Sequence, residues 1–240
     1  MSNISNKDDL RFFFFHGKGS SGKDTQAGYV TEGNKSAVVI STGELVRAAK
    51  KYSHRHHEIL TPHLDTMRNG GLVPDEAIIR VAMREMEMER ARGMTDFVFT
   101  GFPRTITQLN EVDEIVEEMK QNVRLDVTHV YFAVHDSTAR RRAKNRRDEH
   151  IANDFEVRRD DEPEVVENRL RVFRESTQPM IHALLDEGRL HVVKAGRGIE
   201  EVNELLELKL RGARPENGLV RAIPLEPVRH ESTLPLRARR

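Results

Sequence analysis

The order of apolar and polar positions divides the chain into two kinds of segment. Five short runs, β-branched or aromatic and without alternation, read as strands buried on both faces: 11–16, 36–40, 96–100, 127–134 and 190–194. Between them lie stretches of helical period at 23–33, 43–51, 74–92, 106–120, 137–147, 163–187 and 199–210. Strands alternating with helices predict an α/β fold built on a parallel sheet. From Arg211 to the end, Pro, Gly and Arg recur without period, which predicts a flexible basic tail dispensable for chemistry. No internal repeat is visible.

The first strand ends abruptly. Phe12 to Phe15 are followed at once by "HGKGSSGKDTQ". Four consecutive phenylalanines suit a central parallel strand covered by helices on both sides, where they pack as core and fix the loop that follows. Gly17 to Lys23 matches G-x-x-x-x-G-K, a loop whose backbone N–H groups curl around phosphate oxygens while the lysine reaches the outer phosphates. Its place between a predicted strand and a predicted helix is the context such a loop requires. The expected ligand is a nucleoside triphosphate.

Composition narrows the partners. The 240 residues suffice for one domain with small inserted subdomains, and Lys plus Arg equals Asp plus Glu at 39 each. No overall field recruits nucleic acid or an anionic membrane. The absence of cysteine excludes disulfides, thiolate zinc sites and a cysteine nucleophile. "MSNISNKDDL" is polar and acidic where a secretory signal would be basic and then apolar, and no segment approaches the roughly 18 apolar residues of a membrane span. A soluble, intracellular protein is expected.

Five segments together resemble the adenylate kinase family of nucleoside monophosphate kinases. "GKGSSGKDTQ" is similar to its phosphate loop, and "STGELVR" (41–47) and "GGLVPDE" (70–76) to its monophosphate-binding segments. "GFPRTITQ" (101–108) resembles the signature after the third strand, and "RRDDEPEVVENRL" (158–170) the junction where the lid rejoins the core. The resemblance runs in family order from about Phe12 to about Val202. It implies a P-loop NTPase-like five-stranded parallel sheet flanked by helices, within a kinase domain over 1–210. It also implies a monophosphate-binding insert at about 41–73 and a short lid at about 142–160, which closes over bound phosphate.

The implied activity is Mg²⁺-dependent transfer from ATP to AMP by a monomeric, cytoplasmic enzyme. Such transfer gathers many negative charges, so several cations are wanted at the reacting group. By resemblance Gly17, Gly19, Ser20, Ser21, Gly22, Lys23, Asp24, Thr25 and Arg142 hold ATP. Thr42, Arg47, Val73, Gly101, Arg104, Gln108, Arg158 and Arg169 hold the acceptor, and Lys23, Arg104, Arg142, Arg146, Arg158 and Arg169 serve catalysis. Guanidinium forks pair two phosphate oxygens at once. Thr42 and Gln108 match the family's adenine-facing pair, which favours AMP; pyrimidine-specific relatives tend to carry asparagine downstream of "GFPR".

Several readings compete. "RRRAKNRR" (140–147) also fits a solvated basic helix face or a nucleic-acid patch, although no aromatics are interleaved for base stacking. Asp160 and Asp161 fit a capping box with Glu164, and His54, His56, His57 and His63 read as surface residues. The chain departs from the family at Ser20 (usually glycine), Asp24 (usually a small residue), Thr100 (usually a metal-holding aspartate) and Gly71 (often lysine). Asp24 and Thr100 face one ion in such folds, so Asp24 is expected to act on the metal through water in place of the missing aspartate. A nucleotide-binding sensor or assembly protein with weakened transfer, or a kinase preferring CMP or UMP, remains an alternative.

Overall fold

Apolar runs without alternation need cover on both faces, and the computed structural model supplies it with one parallel sheet between two helical layers. It describes residues 9–49, 51 and 53–210; the tail from Arg211 lies outside the described residues. The strands are β1 (Asp9–His16), β2 (Ala37–Ser41), β3 (Asp96–Thr100), β4 (Arg124–Ala133) and β5 (Leu190–Lys194), in the order β2-β3-β1-β4-β5. The helices are α1 (Lys23–Thr31), α2 (Thr42–Ala48), α3 (His57–Leu60), α4 (Leu64–Arg68), α5 (Asp75–Ala91), α6 (Ile106–Lys120), α7 (Asp136–Ala152), α8 (Pro163–Val172), α9 (Gln178–Asp186) and α10 (Ile199–Leu210). None of these is long and apolar enough to cross a membrane.

β1 is the middle strand, and its phenylalanines serve both layers. Successive side chains of a strand point to opposite faces. Phe12 and Phe14 therefore join one core with Phe97, Phe99 and Phe102, while Phe13 and Phe15 pack into the other with Val98 and Phe132. Phe14 and Phe99 are register partners and stack at 4.9 Å between ring centroids. Each fully buried ring contributes roughly 1.5–3 kcal/mol through the hydrophobic effect. The result is a rigid strand whose carboxyl end carries the loop.

Three expectations need correction. The helical run 163–187 is interrupted by a π-helical turn at Phe173–Thr177, after which Pro179 has no N–H to return to the carbonyl four residues back. Asp161 does not cap α8: the N-cap is Glu162, whose own side chain makes no capping bond. His56 is not a surface residue. It is fully buried, with Nε2 2.8 Å from Glu85 of α5, whose other carboxylate oxygen meets Arg55 at 2.9 Å. A carboxylate 29 positions away ties the segment before α3 to α5, a pairing that local pattern does not reveal.

Candidate active site

The chain leaves β1, turns through residues 17–22 and enters α1 at the point where the strand order reverses, where open α/β sheets bind ligands. Gly22 caps α1 without a side-chain acceptor, so the first N–H groups face the loop. Ser20 adopts a left-handed conformation (φ 61°) that costs a non-glycine residue about 1–2 kcal/mol, and its hydroxyl is met by Arg146 Nη2 at 3.1 Å. Lys18 is buried and turned away from the loop, onto Asp136 and the Val134 carbonyl. The lysine left to the site is Lys23, whose Nζ lies 3.1 Å from Asp24.

Arg104 is the hinge of the arrangement. Its Nε donates to the Gly101 carbonyl at 2.6 Å, and its backbone N–H donates to Gln108 Oε1 at 2.7 Å. Gly101 has φ 72°, and a Cβ there would lie 2.7 Å from Arg104 Nη2, so only glycine lets the guanidinium settle over this turn. One cleft beside it is lined by His16, Gly17, Gly19, Lys23, Arg104 and Arg169. A second is lined by Thr42, Gly71, Val73, Gly101, Arg104 and Gln108. Burial and then the Arg169 charge pull the Arg104 pKa down to about 10, with Asp24 and Asp160 opposing; the group stays charged at neutral pH. Burial, together with Arg104 and Arg169, likewise lowers the Lys23 pKa against the pull of Asp24.

The second cleft places Thr42, Val73 and Gln108 together. Gln108 Nε2 donates to Asp75 at 2.7 Å while Oε1 accepts from Arg104, which fixes the amide and leaves one N–H and one lone pair on it. The Thr42 hydroxyl donates toward the Gly101 carbonyl at 3.0 Å, so toward a ligand it can only accept. Gly71, where lysine is frequent, stands against Thr66: a Cβ would approach its Cγ2 to 2.8 Å. Asp75 is a residue that sequence reading missed.

The remaining arginines separate into two groups. Arg142 donates to the carbonyls of Ser21 (3.1 Å) and Ala195 (2.8 Å), buttressing the phosphate loop with its guanidinium. Arg146 holds buried Asp161 by two bonds, which explains that aspartate better than capping does. Asp160 lies between Arg47 (3.3 Å) and Arg169 (3.2 Å). Arg47 and Arg158 line a wider cleft of about 640 Å³. Asp160 and Asp161 thus act as counterions to arginines expected at phosphate, a role carried by contacts across 9 to 113 positions.

Beneath the loop, His16 Nε2 lies 3.0 Å from His129 Nδ1, and both rings are buried. Burial pushes the His16 pKa down to about 3 and that of His129 well below its ordinary value, with the His16 charge reinforcing the latter. Unfolded histidines take up a proton near pH 6.5, so between about 6.5 and about 3 the unfolded chain binds more protons. Stability conferred by this pair is complete above pH 6.5 and is lost as pH falls toward 3. Each ring should add a slope approaching about 1.4 kcal/mol per pH unit. Urea unfolding at pH 7, 6 and 5 should show a shallower decline for His129→Leu than for wild type; equal slopes would contradict this.

Comparison with known proteins covers the same segments. A family model described as Adenylate kinase matches residues 15–188. An adenylate kinase of Nitrobacter hamburgensis is 33% identical over 186 residues, covering 78% of this chain and 85% of that protein. One of Nitrobacter winogradskyi is 32% identical over 195 residues, 81% of this chain and 90% of that protein. One of Methylobacterium nodulans is 30% identical over 199 residues, 83% and 96% respectively. The match spans the phosphate loop, both clefts and the arginines around them, and the chain therefore belongs to the adenylate kinase family of nucleoside monophosphate kinases, which are phosphotransferases.

Proposed function

We propose that the protein transfers the γ-phosphoryl group of ATP reversibly to AMP, with Mg²⁺, giving two ADP. The observation that carries this reading is that Arg104 and Gly101 line both clefts, so a donor phosphate over Lys23 and an acceptor near Thr42 and Gln108 would meet at one guanidinium. Phosphoryl transfer asks the protein chiefly for positioning and charge stabilisation.

In this reading the backbone of residues 17–22 cradles the donor, and Lys23 carries its outer phosphates. Arg104 spans both substrates, while Arg47 grips the acceptor phosphate and Arg169 closes on the transferred group. Substrate phosphates replace Asp160 between Arg47 and Arg169, so closure of the segment 142–160 over the site depends on phosphate charge. Arg146, anchored on Asp161, holds Ser20 and so the loop's shape. Mg²⁺, if held through water by Asp24, would neutralise part of the charge on the donor phosphates.

The fixed Gln108 amide, presenting one donor and one acceptor, suits adenine's ring nitrogen and exocyclic amine. AMP should accordingly exceed UMP in kcat/KM with ATP as donor, by about tenfold or more, since uracil presents a ring N–H and a carbonyl where adenine presents a ring nitrogen and an amine, and one buried hydrogen-bond mismatch weighs about 1–3 kcal/mol. A coupled assay across the common monophosphates checks it. A higher kcat/KM for CMP or UMP would overturn the acceptor assignment.

A further inference from the structure

Asp24 poses a problem of charge. It follows the phosphate-binding lysine, its side chain is 56% exposed, and it stands where a triphosphate must lie. A bare carboxylate there repels the ligand. The structure nevertheless holds it in place from two sides: the Thr100 hydroxyl donates to Oδ1 at 2.7 Å across 76 positions, and Lys23 Nζ reaches Oδ2 at 3.1 Å. Thr100 ends β3, which neighbours β1, and Asp24 lies in the first turn of α1 just after the loop that leaves β1, so the two residues meet at the mouth of the phosphate loop.

Phosphate-loop proteins generally keep a hydroxyl after the lysine and a carboxylate at a neighbouring strand end, both facing one Mg²⁺. Here the two chemistries have exchanged places. The donor set suits that ion, since Mg²⁺ takes one or two protein carboxylates and fills its remaining positions with phosphate oxygens and water.

We infer that Asp24, oriented by Thr100, is this chain's metal-shell carboxylate, and that it makes ATP binding conditional on a divalent cation. Asp24 changes partners on binding: it leaves the Lys23 ammonium for the cation's water shell and thereby releases Lys23 to the triphosphate. Without the cation, Asp24 both retains Lys23 and repels the phosphates. Thr100 is a positioning residue, touching the carboxylate and no phosphate. The inference rests on the reading of residues 17–23 as an ATP site.

Calorimetric titration of the full chain with ATP, in Mg²⁺ and in EDTA, tests it without any turnover. Wild type should bind ATP at least about tenfold more weakly in EDTA, and Asp24→Asn should reduce that ratio by about tenfold through tighter metal-free binding, as expected for removal of one nearby charge. Thr100→Val should reduce the ratio partly, and Asp24→Gly with Thr100→Asp should restore it. The affinity of Mn²⁺ in the ATP complex, read by electron paramagnetic resonance, should fall in Asp24→Asn and recover in the exchanged pair. Two separate variants guard against a folding defect in one. Wild-type binding of ATP in Mg²⁺ with the same Mg²⁺-to-EDTA ratio in Asp24→Asn overturns this inference alone. No binding of ATP by wild type in Mg²⁺ overturns the ATP site as well.

Discussion

Lys23→Met should lower kcat/KM for phosphoryl transfer by about 10²–10³-fold without lowering the melting temperature, the size typical for removing one preorganised charge from a transferring group. The two halves of this expectation come from the same geometry. Lys23 has only 8% of its side chain exposed, beside Arg104 and Arg169, and burial and both guanidinium charges disfavour its ammonium. Asp24 offsets part of that cost. A neutral side chain of similar length therefore removes the charge that phosphate needs while relieving a charge that folding tolerates poorly, the usual trade between activity and stability at a site. Activity within tenfold of wild type would show that the loop backbone alone holds the donor. A melting temperature lowered by many degrees would show that the Lys23–Asp24 pair is structural.

Arg104→Lys should cost nearly as much, about 10²-fold in kcat, although the charge is kept. The Arg104 Nε is tied to the Gly101 carbonyl, which orients the remaining guanidinium donors across both clefts. Lysine offers a point charge on a flexible stem and cannot fork between two phosphates. A fork that grips the group in transit acts in the transition state, so kcat should fall more than KM rises for either nucleotide. Retention of most of the activity, or a change confined to the KM of AMP, would reduce Arg104 to ordinary substrate binding.

What could be read from sequence alone was what local chemistry determines. The aromatic run 12–15 indicated a strand covered on both faces, and the phosphate loop with "GFPRT" located the carboxyl end of β1 and β3 where both clefts open. The parallel sheet followed from alternating elements. Less visible were α3 and α4, of four and five residues, too short to show a helical period. The break before α9 was hidden because the amphipathic pattern continues through Pro179. Charge partners were the hardest to see. Asp161 with Arg146, Asp160 with Arg47 and Arg169, and His56 with Glu85 are tertiary pairs that a capping pattern or a cluster of histidines in sequence cannot distinguish from local ones. The contact between Asp24 and Thr100 was foreseeable, because the loop and the neighbouring strand end of such folds approach each other by construction of the sheet.

Phosphorus NMR of the wild-type protein with ATP, AMP and Mg²⁺ tests the central claim most directly, because it follows both substrates and every phosphate product at once. Transfer between two nucleotides predicts that ATP and AMP disappear in equal amounts, that two ADP appear for each pair consumed, and that the mixture reaches the same equilibrium when started from ADP. Unchanged spectra, or ATP turning to ADP and inorganic phosphate while AMP persists, would contradict it.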